Sequence, residues 1–85
     1  MSFTRLQPAM KDAHQDLGAM LAGQGKLSEA ADEFLEALRL DPRFKQAEKN
    51  LELLERQALA AGGRDLVEKI ERRKRDILRA SPAAP

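Results

Sequence analysis

Three interruptions, Gly23-Gln24-Gly25, Asp41-Pro42 and Gly62-Gly63, cut this chain into four stretches and leave few folds open to it. Between them, apolar residues recur at three- and four-residue steps, the spacing of one helix face. Pro8 suits the first turn of the first helix, where its missing N–H is not needed. Met10, Ala13, Leu17 and Met20/Leu21 then mark its apolar face, and the paired glycines end it. Ser28 stands at or near the second start, with Glu29 complementing the helix dipole. Ala30, Phe34 and Ala37/Leu38 carry that helix's apolar face. Asp41-Pro42 stops it, because the residue before a proline is pushed out of the helical region. The third helix carries Phe44, Ala47, Leu51, Leu54, Ala58 and Ala61 and closes at Gly62-Gly63. A fourth, from about Arg64 to Arg79, turns Leu66, Val67, Ile70, Ile77 and Leu78 inward. Connections this short force neighbouring helices to run antiparallel. No stretch alternates with period two, so the expected fold is all-α, about four helices in antiparallel hairpins. Residues 81–85 read as a flexible tail.

Eighty-five residues make one domain with a modest core. Without cysteine the chain has no disulfide, thiolate metal site or thiol nucleophile, which fits a reducing compartment such as the cytoplasm. No apolar run approaches the roughly 20 residues needed to span a bilayer, and Met1 to Leu6 lack the apolar stretch of a signal peptide. Membrane insertion is therefore not expected. The net charge of +1 gives the whole chain no pull toward nucleic acid. The charge is unevenly placed, however. Residues 1–42 hold four basic against seven acidic side chains, and residues 43–85 hold eleven against seven, so the halves carry −3 and +4.

Leu17, Gly18, Gly25, Ala30, Phe34, Ala37 and Pro42 form a recognisable set within a 34-residue unit, Lys11 to Phe44. That unit resembles one complete tetratricopeptide repeat. The resemblance implies small residues, Gly18 and Ala30, where two helices cross closely, a tight turn at Gly25, and Phe34 filling the space beside the hairpin. His14 and Leu21 stand where the family commonly has Trp and Tyr, so aromatic packing is thinner here. A second repeat starting at Lys45 matches at Asn50-Leu51, but Glu52 replaces the expected Gly and no later Phe or Pro completes it. Residues 1–80 thus read as a single fragment of an α-solenoid. Within it, 11–44 is a complete repeat and 45–80 a degenerate repeat or C-terminal cap. One hairpin cannot bury its own apolar face, and toward the N-terminus only Phe3, Leu6 and Pro8 are available as a shield. The uncovered edge implies a protein partner, a second copy or a larger parent protein.

In such repeats the first helix of each pair lines a concave groove. Carried across, the resemblance places Asp12, Gln15, Ala19 and Ala22 there, followed by Gln46, Lys49, Leu53 and Arg56, with Asn50 nearby. Leu51 and Leu54 already fill the buried stripe, which leaves Leu53 as an exposed anchor. Lys49 and Arg56 suit acidic groups on a peptide, and Asn50 suits an extended backbone. The candidate partner-binding set is therefore Gln15, Ala19, Lys49, Asn50, Leu53 and Arg56. Members that grip a terminal carboxylate carry Lys and Asn where this chain has Gln15 and Ala19; only Asn50 matches, so the clamp does not carry over.

Catalytic chemistry has little to stand on. His14 is the single histidine and reads as a substitute for an aromatic packing residue. A metal site would need carboxylates in a loop, and no Asp-rich loop is present. Gly18, Gly23 and Gly25 follow no strand, so they do not form a phosphate loop. The expectation is a protein with no enzymatic activity and no cofactor. Arg72-Arg73-Lys74-Arg75 invites a nucleic-acid reading, but Asp65–Lys69, Glu68–Arg72 and Glu71–Arg75 are all favourable i,i+4 pairs. No aromatic is interleaved for base stacking. The leading expectation is an adaptor that binds a peptide or protein surface. The alternative is a homo-oligomer, joined through the apolar edge or between the acidic face Glu29, Asp32, Glu33, Glu36 and the basic fourth helix of another copy.

Overall fold

Two left-handed glycines turn the chain back on itself, and both positions require glycine. In a computed structural model, which describes residues 3–80 and the side chains from Met10 onward, the chain forms four α-helices. They are α1 (Phe3–Gly23), α2 (Leu27–Leu40), α3 (Lys45–Ala60) and α4 (Arg64–Ala80). After α1, Gly25 takes φ +81°; its N–H bonds to Ala22 O, and Lys26 N–H reaches Leu21 O at 2.9 Å. After α3, Gly62 takes φ +82°, its N–H bonds to Leu59 O, and Gly63 N–H reaches Ala58 O. Each is the paired closure that satisfies the last helix carbonyls, and an L side chain at either glycine would be strained.

The middle connection works by another route. Asp41 has extended backbone (φ −146°), accepts from Arg43 N–H at 3.1 Å and holds Lys11 Nζ of α1 at 2.5 Å. The same ammonium sits 4.9 Å from the Phe44 ring centre, so one lysine ties α1 to the α2–α3 turn. Lys11 keeps the Asp41 carboxyl below its usual range by hydrogen bonding to it.

α2 is the central element, packed by α1, α3 and α4. It buries Ala30, Ala31, Phe34, Leu35, Ala37 and Leu38. α3 contributes Ala47, Leu51, Leu54 and Ala58, and α4 contributes Ile70, with Leu66 and Ile77 packed at the margin. The slab measures 46 × 30 × 15 Å, so most helices keep an open face. α1 approaches α2 closely at Gly18. An ideal Cβ there would lie 2.6 Å from Phe34 Cε1, so the ring is seated on the bare backbone.

Several expectations need correction. α1 begins at Phe3 rather than near Pro8, so Pro8 lies inside the helix, where it forgoes one backbone bond. α2 begins at Leu27 with Lys26 at the cap, so Ser28 lies in the first turn and makes no capping bond. Met10, Ala13, Leu17 and Met20 face solvent, because α1 meets α2 on a neighbouring face, through Gly18 and Leu21. Leu78 is 60% exposed instead of packed inward. His14 is more than packing, since its Nδ1 lies 2.7 Å from Glu33 Oε1 and the pair bridges α1 and α2. The side chains of Phe3, Leu6 and Pro8, offered as an N-terminal shield, and the tail at 81–85 lie outside the described residues.

Candidate functional site

α1 and α3 both pack on α2 but touch each other little, so a wedge opens between them. Its floor is Phe34 from α2 and Leu54 from α3, each 2% exposed. Ala19 and Ala22 form the α1 wall, and Asn50, Leu53 and Gln57 form the α3 wall, around a cavity of about 190 Å³. The two alanines keep the α1 wall low, while the floor side chains themselves stay buried. On α3, Asn50, Leu53 and Gln57 fall at three- and four-residue steps and therefore share one face. Leu53 stands 56% exposed at the rim. The two amides each carry donors and an acceptor, the groups that pair with a peptide backbone.

The expected partner-binding residues divide. Ala19, Asn50 and Leu53 line the groove together. Lys49 and Arg56 are exposed on α3 but lie outside the lining, and neither forms an ion pair among the described residues. Gln15 does not face a partner. It is 6% exposed, and its Oε1 is buried without a hydrogen bond. The groove assignment for Gln15 is therefore corrected: the close approach of α1 to α2 at Gly18, three residues on, rotates it inward. Gln57 was not foreseen, although its spacing, four residues beyond Leu53, puts it on the same face.

Charges flank the groove asymmetrically. Asp12 and Asp16 are exposed on α1, while Lys45, Lys49 and Arg56 are exposed on α3. Elsewhere the intrahelical pairs expected on α4 do not form. Lys69 reaches across to Asp32 of α2 at 3.2 Å, and Lys74 lies 3.5 Å from Glu71 and 3.8 Å from Glu55 of α3. For Lys69 the cross-helix partner wins because docking already holds that lysine beside α2, whereas an exposed i,i+4 pair contributes only about 0.3–0.5 kcal/mol; Lys74 pairs both within α4 and across to α3. Arg72, Arg73 and Arg75 are exposed and make no ion pair among the described residues.

Glu55 is the most perturbed acid. Burial, reinforced by its hydrogen bond with Glu71, raises its carboxyl to about 7, and its Oε2 is buried without a partner. It sits at the α3–α4 contact and is not part of the groove lining. Among the described residues no group of three or more His, Cys, Asp or Glu could hold a metal ion, and no helix is long and apolar enough to cross a membrane. No family model, curated protein or solved structure matches the chain.

Proposed function

We propose that this chain is a non-catalytic interaction module of tetratricopeptide type that captures a peptide segment in the groove between α1 and α3. One observation carries the reading: Leu53, an exposed aliphatic anchor, stands beside an apolar floor and between two amides, Asn50 and Gln57, in a single depression. Apolar surface with a few convergent polar groups is the usual composition of a binding cleft. The family reading is supported by the seating of Phe34 on Gly18 and by the left-handed turn at Gly25, the roles the resemblance assigns to those residues. In this reading the module works in the cytoplasm, where a chain without cysteine loses nothing to reducing conditions.

A peptide-display selection against the intact chain tests the proposal. The counter-target is Leu53→Glu, which places a carboxylate at the rim and should leave folding intact because the side chain is exposed. The expected outcome is a family of peptides with an aliphatic residue that bind the native chain at least about tenfold more tightly than the variant. Bound peptide should shift the amide resonances of Ala19, Asn50, Leu53 and Gln57. Peptides that bind both proteins equally, or shifts confined to other helices, would show that the groove is not the site.

A further inference from the structure

α4 is held to the core by little apolar contact. Of its 17 residues only Ile70 is fully buried, against six on α2 and four on α3. Leu66 and Ile77 pack at the margin. Its tie to α2, Lys69 to Asp32, joins two partly exposed side chains and adds little. Its contact with α3 is built on charge instead. Lys74 Nζ lies 3.8 Å from Glu55 Oε1 on α3 and 3.5 Å from Glu71 Oε2 on its own helix. One ammonium therefore stands between two carboxyl groups, with the Lys74 and Glu55 side chains 20% and 12% exposed. The second Glu55 oxygen, Oε2, is buried and meets no donor.

The charges around Glu55 do not balance. The groups acting most strongly on it are Glu71 and Lys74 of α4 and Glu52, three residues back on α3, and none of these comes from α1 or α2. Arg75 of α4 acts on Glu71. Counted as ions, three carboxylates face the single positive charge of Lys74. A carboxylate taken out of water beside other carboxylates is strongly disfavoured, and a bound proton relieves it. Protonated Glu55 can also donate a hydrogen bond to Glu71 across the helix contact, which the ionised group cannot. Docking α4 on α3 thus takes up a proton. Once that proton leaves, separating the two helices returns the buried charge to water.

We propose that Glu55, Glu71 and Lys74 form a pH-sensitive clasp: α4 stays docked while the two carboxyl groups hold a proton, and it detaches from α3 and α2 when the proton is lost, with α1, α2 and α3 still packed together. Opening of one element ahead of the rest is what uneven burial allows. Leu35 and Leu38 of α2 share cavity walls with Ile77 of α4, so release uncovers apolar surface there. α4 contributes nothing to the groove between α1 and α3, so the clasp does not depend on the peptide-binding reading. The direction follows from Glu55, whose carboxyl is raised by burial and by Glu71 from 4.5 to about 7. The gain from the proton is complete below 4.5 and fades as pH rises through 7.

Amide hydrogen exchange of the full chain, read residue by residue and corrected for the intrinsic effect of pH, tests the clasp. Between about pH 6 and about pH 8, protection at Ile70 and Lys74 should fall about three- to tenfold, while Leu35 and Leu51 keep theirs. Glu55→Gln stands in for the protonated carboxyl at every pH and should hold α4 protection level across that range. Glu71→Gln alters a half-exposed side chain and spares folding. With one carboxylate fewer, Glu55 ionises more readily, and the fall should begin at lower pH. Equal loss at Ile70, Leu35 and Leu51 would show unfolding of the whole chain and overturn the proposal, as would α4 protection that ignores pH. A fall in Glu55→Gln like that of the native chain, or one left unmoved by Glu71→Gln, would show that this cluster is not the trigger.

Discussion

Replacing Gly18 with alanine should destabilise the fold, although the same change inside a helix ordinarily stabilises it by about 0.5–1 kcal/mol. The reason is local. The added Cβ would lie 2.6 Å from Cε1 and 2.7 Å from Cδ1 of Phe34, against the ~3.5–4.0 Å that carbon atoms prefer. Phe34 is 2% exposed within the α2 core, so its ring cannot swing aside without pushing neighbours apart. Overpacking of this kind costs about 1–3 kcal/mol. Less the helix gain, the net loss is up to about 2.5 kcal/mol and centred near 1 kcal/mol, which in a domain of this size lowers Tm by about 4–8 °C for each kcal/mol. Gly23 supplies the internal control. It closes the same helix, has no neighbour within 4 Å of an added Cβ and no left-handed φ, so Gly23→Ala should stabilise by about 0.5–1 kcal/mol. Urea unfolding followed by far-UV circular dichroism gives both values. Adding Phe34→Leu to Gly18→Ala should show a favourable coupling of at least about 1 kcal/mol, because the smaller side chain vacates the contested space. If Gly18→Ala is as stable as Gly23→Ala, the ring is not seated on the glycine and the account of the hairpin contact fails.

Three further outcomes follow from the turns and the buried charge. Gly25→Ala, at φ +81°, should cost about 1–2 kcal/mol by forcing an L side chain into the left-handed region; the urea midpoint checks this. Lys11→Met removes both the ion pair to Asp41 and the cation over Phe44, and should cost about 1 kcal/mol. Because Asp41 is held below its ordinary value, its contribution is present above that value and is lost as pH falls through the folded one, so the variant should also have a flatter acid limb. Glu55 behaves oppositely. Raised to about 7, it holds a proton in the folded state that the unfolded chain releases near 4.5. Its stabilisation is therefore complete below 4.5 and lost as pH rises through 7. Glu71, held below its ordinary value by its hydrogen bond with Glu55, acts only at lower pH. The slope is at most about 1.4 kcal/mol per pH unit, and with 12% of the Glu55 side chain still exposed we expect a total near 1–2 kcal/mol. Glu55→Gln should flatten the dependence, and an unchanged slope in that variant would assign the effect to another group.

Most of the architecture can be read from residue types alone, because its causes are local. Gly25 and Gly62 close helices since only glycine takes a left-handed turn without strain, and Asp41-Pro42 stops α2 through a clash within two residues. The buried stripes of α2 and α3 follow from spacing, as does the face that puts Asn50 and Leu53 together. Tertiary packing decided the rest. The large apolar residues of α1 pointed to one buried face, yet the helix docks through Gly18, because only a residue without a side chain lets Phe34 come so close. That choice left Met10, Leu17 and Met20 outside and turned Gln15 inside. In the same way, charges four apart predicted pairs along α4, Asp65–Lys69 among them, while Lys69 found Asp32 on α2. Periodicity reports that a helix has two kinds of face. Which face is covered, and by what, depends on how closely the backbones can approach and on which groups that approach brings within reach.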